Sequence, residues 1–121
     1  MKTSLLILAG PDQGRAVAIA DALARRGELS RLFFMSRGVE QLNTNALPAK
    51  GDNLATQWSR LIEAHDLDAI ACVTSALNAG VLDESQARKF ERHATLAHGA
   101  ELGGLGQLVD MLEQDKVVTL K

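Results

Sequence analysis

The chain has 121 residues, enough for one domain that buries a core without disulfide or metal staples. It is 46% hydrophobic and 23% charged, with a formal net charge of -2 and no readable basic stripe, which argues against a nucleic-acid binder. A single cysteine rules out an intramolecular disulfide and a cysteine cluster for zinc or iron–sulfur, and points to a reducing compartment.

Leu5 to Ala9 is continuously apolar. The run is too short to span a membrane and lacks the length of a signal-peptide core, so it reads as a first strand covered on both faces. A cytoplasmic location is the expectation. Gly10-Pro11-Asp12-Gln13-Gly14 reads as a turn. Ala16 to Arg26 reads as a helix with Val17, Ala20, Leu23 and Ala24 on one face, stopped by Gly27. Leu32 to Met35 is a second strand, in which Phe33 and Phe34 point to opposite sides. The stretch from Ser36 to Gly51 holds Gly38 and Pro48 and reads mostly as loop, with a short turn of helix near Val39.

Asp52 or Asn53 can cap a helix whose Leu54, Trp58, Leu61 and Ile62 share a face. Ala69 to Val73 is a third, central strand. Thr74 and Ser75 follow at once as cap candidates for a short helix over Leu77 to Val81. Asp83 and Gln86 have capping-box spacing, so a helix should run through Phe90. From His93 to Ala100 two readings stay open, a short fourth strand around Ala94 to Ala97 or a connection. Leu102, Leu105, Leu108, Val109 and Leu112 have the spacing of a core-facing helix, although a partner-binding face has the same spacing. Gly103, Gly104 and Gly106 imply close packing or a delayed start. Val117 to Leu120 closes as an edge or last strand. Alternating strands and helices predict a single-domain α/β fold over residues 1–121: an open, mostly parallel sheet with helices on both faces.

Cys72 falls at the carboxyl end of the third strand, with a helix start beyond it. Open parallel sheets build sites at such ends, and helix-start amides stabilise a thiolate. The competing reading is a buried cysteine that packs as a small hydrophobe. Arg37 follows the second strand and stands ready to lower the thiol pKa or line an entrance, or else is a solvated loop arginine. Gly10 and Pro11 belong to a turn on the same sheet edge. That turn misses the dinucleotide and Walker patterns, and Asp12 would repel an anion, so a nucleotide site is disfavoured. His65, His93 and His98 have no metal-ligand spacing with Cys72. No metal or organic cofactor is expected.

The ordered segments resemble the DsrE-like family of sulfur-relay proteins, and within it the TusD/DsrE-type subunit. The likeness runs through the Gly10 to Gly14 turn, Leu32-Phe33-Phe34-Met35-Ser36-Arg37-Gly38-Val39, Ile70-Ala71-Cys72-Val73, Ala76 to Glu84, and Leu102-Gly103-Gly104-Leu105-Gly106-Gln107-Leu108. It departs at Asp12-Gln13, at the missing acidic residue between Arg37 and Gly38, and around residues 43–50. The resemblance implies a doubly wound, flavodoxin-like fold and a heterohexamer of related subunits. It also implies a Cys72 that takes sulfane sulfur from an upstream persulfide donor and passes it to a downstream acceptor. The destination would be 2-thiouridine in tRNA or dissimilatory sulfur metabolism, with no membrane and no direct nucleic-acid contact. Arg37, Thr74, Ser75, Gly10 and Pro11 are the candidates for stabilising the thiolate or lining its entrance. A non-catalytic assembly or ligand-binding subunit is the alternative.

Overall fold

A computed structural model describes residues 2–46 and 53–121. Five strands, β1 (Thr3–Ile7), β2 (Leu29–Phe34), β3 (Asp68–Cys72), β4 (Glu101–Gly103) and β5 (Lys116–Leu120), form one sheet in the order β4-β3-β2-β1-β5. Every neighbouring pair is parallel. The helices are α1 (Arg15–Arg25), α2 (Leu54–His65), α3 (Val73–Asn78), α4 (Glu84–Lys89) and α5 (Leu105–Gln114), with a 3₁₀ segment over Ser36–Leu42. Among the described residues, no helix is long and apolar enough to cross a membrane.

Strand order dictates the layers. The chain steps from β1 to β2 to β3 in one direction, and right-handed crossovers lay α1 and α2 on one face. After β4 the path reverses to reach β5 on the far edge, so the same handedness puts α5 on the opposite face.

The α1/α2 face holds most of the core. Leu5, Ile7, Leu32, Phe34, Ala69 and Ala71 from the strands meet Val17, Ala20, Trp58, Leu61 and Ile62. The Phe34 and Trp58 rings meet edge to face with centroids 4.9 Å apart. Phe33 points the other way, as period-two alternation requires, and joins Ile70, Cys72 and Met111 under α5.

Local signals act where expected. Gly27 (φ 69) ends α1: its N–H donates to the Ala24 carbonyl, and the Glu28 N–H donates to Leu23, a paired closure of the last turn. Asn53 caps α2, its side chain accepting from the Thr56 N–H at 2.9 Å. The alternative cap Asp52 lies outside the described residues, as do Pro48 and Gly51. Asp83 caps α4 by accepting from the Gln86 N–H at 2.8 Å.

Two expectations need correcting, and two readings left open are decided. Helix α3 begins at Val73 with Cys72 as its cap, so Thr74 and Ser75 sit inside the first turn and no side chain caps it. The fourth strand is Glu101–Gly103, and residues 94–97 contribute only a bridge from Leu96 to Asn43. Leu102 therefore belongs to β4, and α5 starts at Leu105 after Gly104, whose N–H donates to Gln107 Oε1 at 3.0 Å. The α5 stripe is not wholly core-facing. Met111 is buried and Leu108 packs beside it, but Leu105, Val109 and Leu112 are 56%, 51% and 52% exposed.

Candidate functional site

Cys72 ends β3, which lies between β2 and β4 rather than at the middle of the sheet. Its side chain points to the α5 face beside Phe33, Ile70 and Met111, and the residue is 5% exposed. Burial pushes the thiol up, but hydrogen bonds from the Ser75 N–H and hydroxyl and from the Thr74 N–H outweigh it, and the net shift is downward. The first-turn groups of α3 thus favour the anion, although the Cys72 side chain makes no cap hydrogen bond. Thr74 and Ser75, expected as caps, thus act on the sulfur from one turn inside.

Ser75 also lines an open cleft of about 600 Å³ at the carboxyl edge of the sheet, together with Pro11, Ser36, Arg37, Glu40 and Asn78. Cys72 itself does not line it. Ser75, which helps to lower the Cys72 thiol, is therefore the residue that faces the cleft. Arg37 Nε lies 2.9 Å from Glu40 Oε2 at the mouth, and the guanidinium rests against the Gly10 backbone, where a Cβ would be only 2.9 Å from Cζ. Gly10, Pro11, Arg37 and Ser75 are thus brought to one place, with Arg37 acting as a wall of the mouth.

The first turn is secured by a residue the sequence reading passed over. Gln41 is 1% exposed. Its Nε2 donates to the Ala9 and Gly10 carbonyls at 2.9 and 3.1 Å, and its Oε1 accepts from Trp58 Nε1 at 3.0 Å. A polar residue between Val39 and Leu42 carries no periodic signal, so only tertiary contact reveals it. Asp12 accepts from the Gly14 and Ala16 N–H groups at 3.1 and 2.9 Å. Its carboxylate occupies amides that a phosphate would need, which agrees with the reading against a nucleotide.

Ser36 is the other unforeseen member. It has a left-handed backbone at φ 53, which costs a non-glycine residue on the order of 1 kcal/mol, and its N–H donates to Ser75 Oγ at 2.9 Å. The histidines fall elsewhere. His65 ends α2, His98 pairs with Glu63 at 3.1 Å, and His93 lines a separate groove with Leu77 and Phe90.

The model of the DsrE/DsrF-like family matches residues 1–120. The chain is 33% identical over 126 residues to an Allochromatium vinosum protein provisionally named sulfurtransferase DsrE, covering 98% of this chain and 97% of that one. It is 38% identical over 101 residues to a sulfurtransferase TusD homolog of Pseudomonas aeruginosa, covering 81% and 77%. Among solved structures, the ychN protein from E. coli superposes with a TM-score of 0.74 at 22% identity, over 99% of this chain and 100% of the other, a likeness of fold.

Proposed function

This chain belongs to the DsrE/DsrF-like family, and from that premise we propose that it is a sulfurtransferase subunit carrying sulfane sulfur as a persulfide on Cys72. The observation that carries the reading is the sulfur at the cap of α3, its thiol lowered by Ser75 and Thr74, in a chain related along its length to proteins named sulfurtransferases.

The Cys72 thiolate attacks the outer sulfur of a donor persulfide. A new S–S bond forms to Cys72, the donor S–S bond breaks, and the donor leaves as a thiolate. An acceptor thiolate then attacks the outer sulfur of the Cys72 persulfide, and Cys72 leaves as a thiolate. Each transfer needs a stable Cys72 anion once, as nucleophile or as leaving group, so donors to the sulfur serve both directions. The steps consume no metal or organic cofactor. Because the thiol is buried, exchange requires a local opening at the first turn of α3, on the side where Ser75 meets the cleft. Arg37, Gly10 and Pro11 shape that entrance.

Related subunits are the proposed partners, in a heterohexamer, with a persulfide donor upstream and an acceptor protein downstream. The exposed Leu105, Val109 and Leu112 supply an apolar surface for such assembly. Delivery runs toward 2-thiouridine in tRNA or toward dissimilatory sulfur metabolism, in the cytoplasm.

The burial of Cys72 favours one second reading, an assembly subunit in which the cysteine only packs. A single experiment separates the two. Incubate wild type and Cys72→Ser with a small-molecule persulfide donor and measure intact mass. We expect wild type to gain one reducible sulfur atom and the variant none. A sulfur adduct that persists in Cys72→Ser, or a folded wild type that takes up none, overturns the relay.

A further inference from the structure

We propose that the sulfur carried on Cys72 is housed over Gly103, in a place that the Gln107 side chain fills while the thiol is empty and leaves when it is loaded. The inference rests on the reading of Cys72 as the sulfur carrier and adds the site that receives the second sulfur.

Gly103 lies directly beside Cys72: the two are Cα partners where β3 pairs with the edge strand β4. Neighbouring strands run about 4.8 Å apart, and paired residues face the same side of a sheet. A side chain at Gly103 would therefore stand next to the thiol on the α5 face. Glycine has none, and α5 fills the gap instead. A Cβ at Gly103 would fall on Gln107 Oε1 and lie 2.6 Å from Ile70 Cγ2. The Gly104 N–H holds the Gln107 head there by donating to its Oε1 at 3.0 Å, while the Gln107 N–H donates to the Gly104 carbonyl at 3.2 Å.

A persulfide carries one sulfur more than a thiol, and the Cys72 side chain is buried. Phe33, Ile70 and Met111, which share its cluster, are buried too, and pushing any of them aside overpacks the core. Gln107 is exposed, on a flexible stem. Its head turns into water at the loss of one hydrogen bond, which water replaces. It also borders a hollow of about 280 Å³ between α5 and the sheet, with Phe33, Ile70 and Met111 among the other walls. On the α5 face, the direction of least resistance for a second sulfur is thus over Gly103. The opening at the first turn of α3 admits the donor, and the gap over Gly103 stores its sulfur out of reach of stray thiols.

The test uses methyl methanethiosulfonate as a stand-in for loading, since Cys72 is the only thiol of the chain. The Cys72 thiolate attacks the methylthio sulfur, an S–S bond forms to Cys72, and methanesulfinate leaves. In a crystal structure of the wild-type adduct, the second sulfur should lie over Gly103, with Gln107 turned to solvent and its bond to the Gly104 N–H gone. Gln107→Ala clears the place in advance and should react about fivefold faster, the factor for one hydrogen bond that no longer has to break. Gln107→Leu, which keeps the bulk, should react no faster than wild type. Gln107 is exposed, so neither variant threatens the fold. An adduct whose second sulfur points elsewhere, with Gln107 in place, overturns the proposal. So does a Gln107→Ala that reacts no faster than wild type, or a Gln107→Leu that reacts as fast as Gln107→Ala. Neither readout uses a persulfide donor: normal sulfur uptake with an unmoved Gln107 sinks this inference alone, and a displaced Gln107 with no sulfur uptake sinks the relay alone.

Discussion

The two faces of the sheet are built to different depths. Beneath α1 and α2 the strand residues are sealed by two helices, and Trp58 and Phe34 lie fully buried at 0% exposure. On the other face a single helix covers Phe33, Ile70 and Cys72, and only its Met111 is buried. Part of the holding force there is polar. Arg31 Nη1 lies 2.7 Å from Asp110 and its Nε 3.0 Å from Asp115, while Ser4 Oγ donates to Asp115 at 2.7 Å. The thick face supplies stability. The thin face holds the buried Cys72 sulfur and leaves an apolar stripe uncovered, so the candidate site and the candidate assembly surface share the less protected side.

The contrast can be broken most forcefully on the thick face. Trp58→Ala removes a ring that meets Phe34 and orphans the buried Gln41 amide oxygen. The lost packing costs about 3–5 kcal/mol, and the unpaired Gln41 adds about 1–3 kcal/mol. Urea denaturation should show a loss of that order, or a chain that no longer folds. A loss under about 1 kcal/mol would mean the two faces are not unequal in the way described.

Changing Leu105, Val109 and Leu112 together to Ser sharpens the thin-face side. These side chains are more than half exposed, so the isolated chain should lose little stability, about 0.5 kcal/mol or less per site. Any native oligomer built on this stripe should dissociate, read by native mass measurement. A large loss in a monomer would show that the stripe is part of the core.

The smallest effect is a pH dependence. The folded Cys72 pKa lies below its ordinary value of 9.0. Between the folded and unfolded pKa values the unfolded chain binds more protons, so stability rises with pH in that window. The contribution is complete above the unfolded value and is lost as pH falls through the folded one. Comparing urea midpoints of wild type and Cys72→Ser across mildly alkaline pH should show this rise in wild type alone. Parallel curves would place the lowered thiol in doubt and, with it, the special character of the thin face.

Much of the fold was legible because its signals are local. Continuous apolar runs mark β1, β2 and β3, the spacing of Leu54, Trp58, Leu61 and Ile62 marks α2, and Gly27 and Asn53 end and begin helices by their own chemistry. The lone cysteine at a strand end directed attention to Cys72, and Arg37, Ser75, Gly10 and Pro11 do gather at the nearby edge. β4 was missed because three residues ending in Gly103 have no pattern of their own and become a strand only by pairing with β3. Helix α3 starts earlier than its Ser and Thr suggested because Cys72 takes the cap position where β3 ends.

The amino-acid sequence by itself determined the alternation of strand and helix, the periodic faces and the position of the single thiol, since these depend on neighbours within a few residues. Tertiary structure alone decided that the α5 stripe stays exposed, that Gln41 ties Trp58 to the first turn, and that Ser36 reaches Ser75. Those outcomes follow from the reversed crossover to β5 and from Gly38 pressing against Ile7, contacts between segments far apart in the chain.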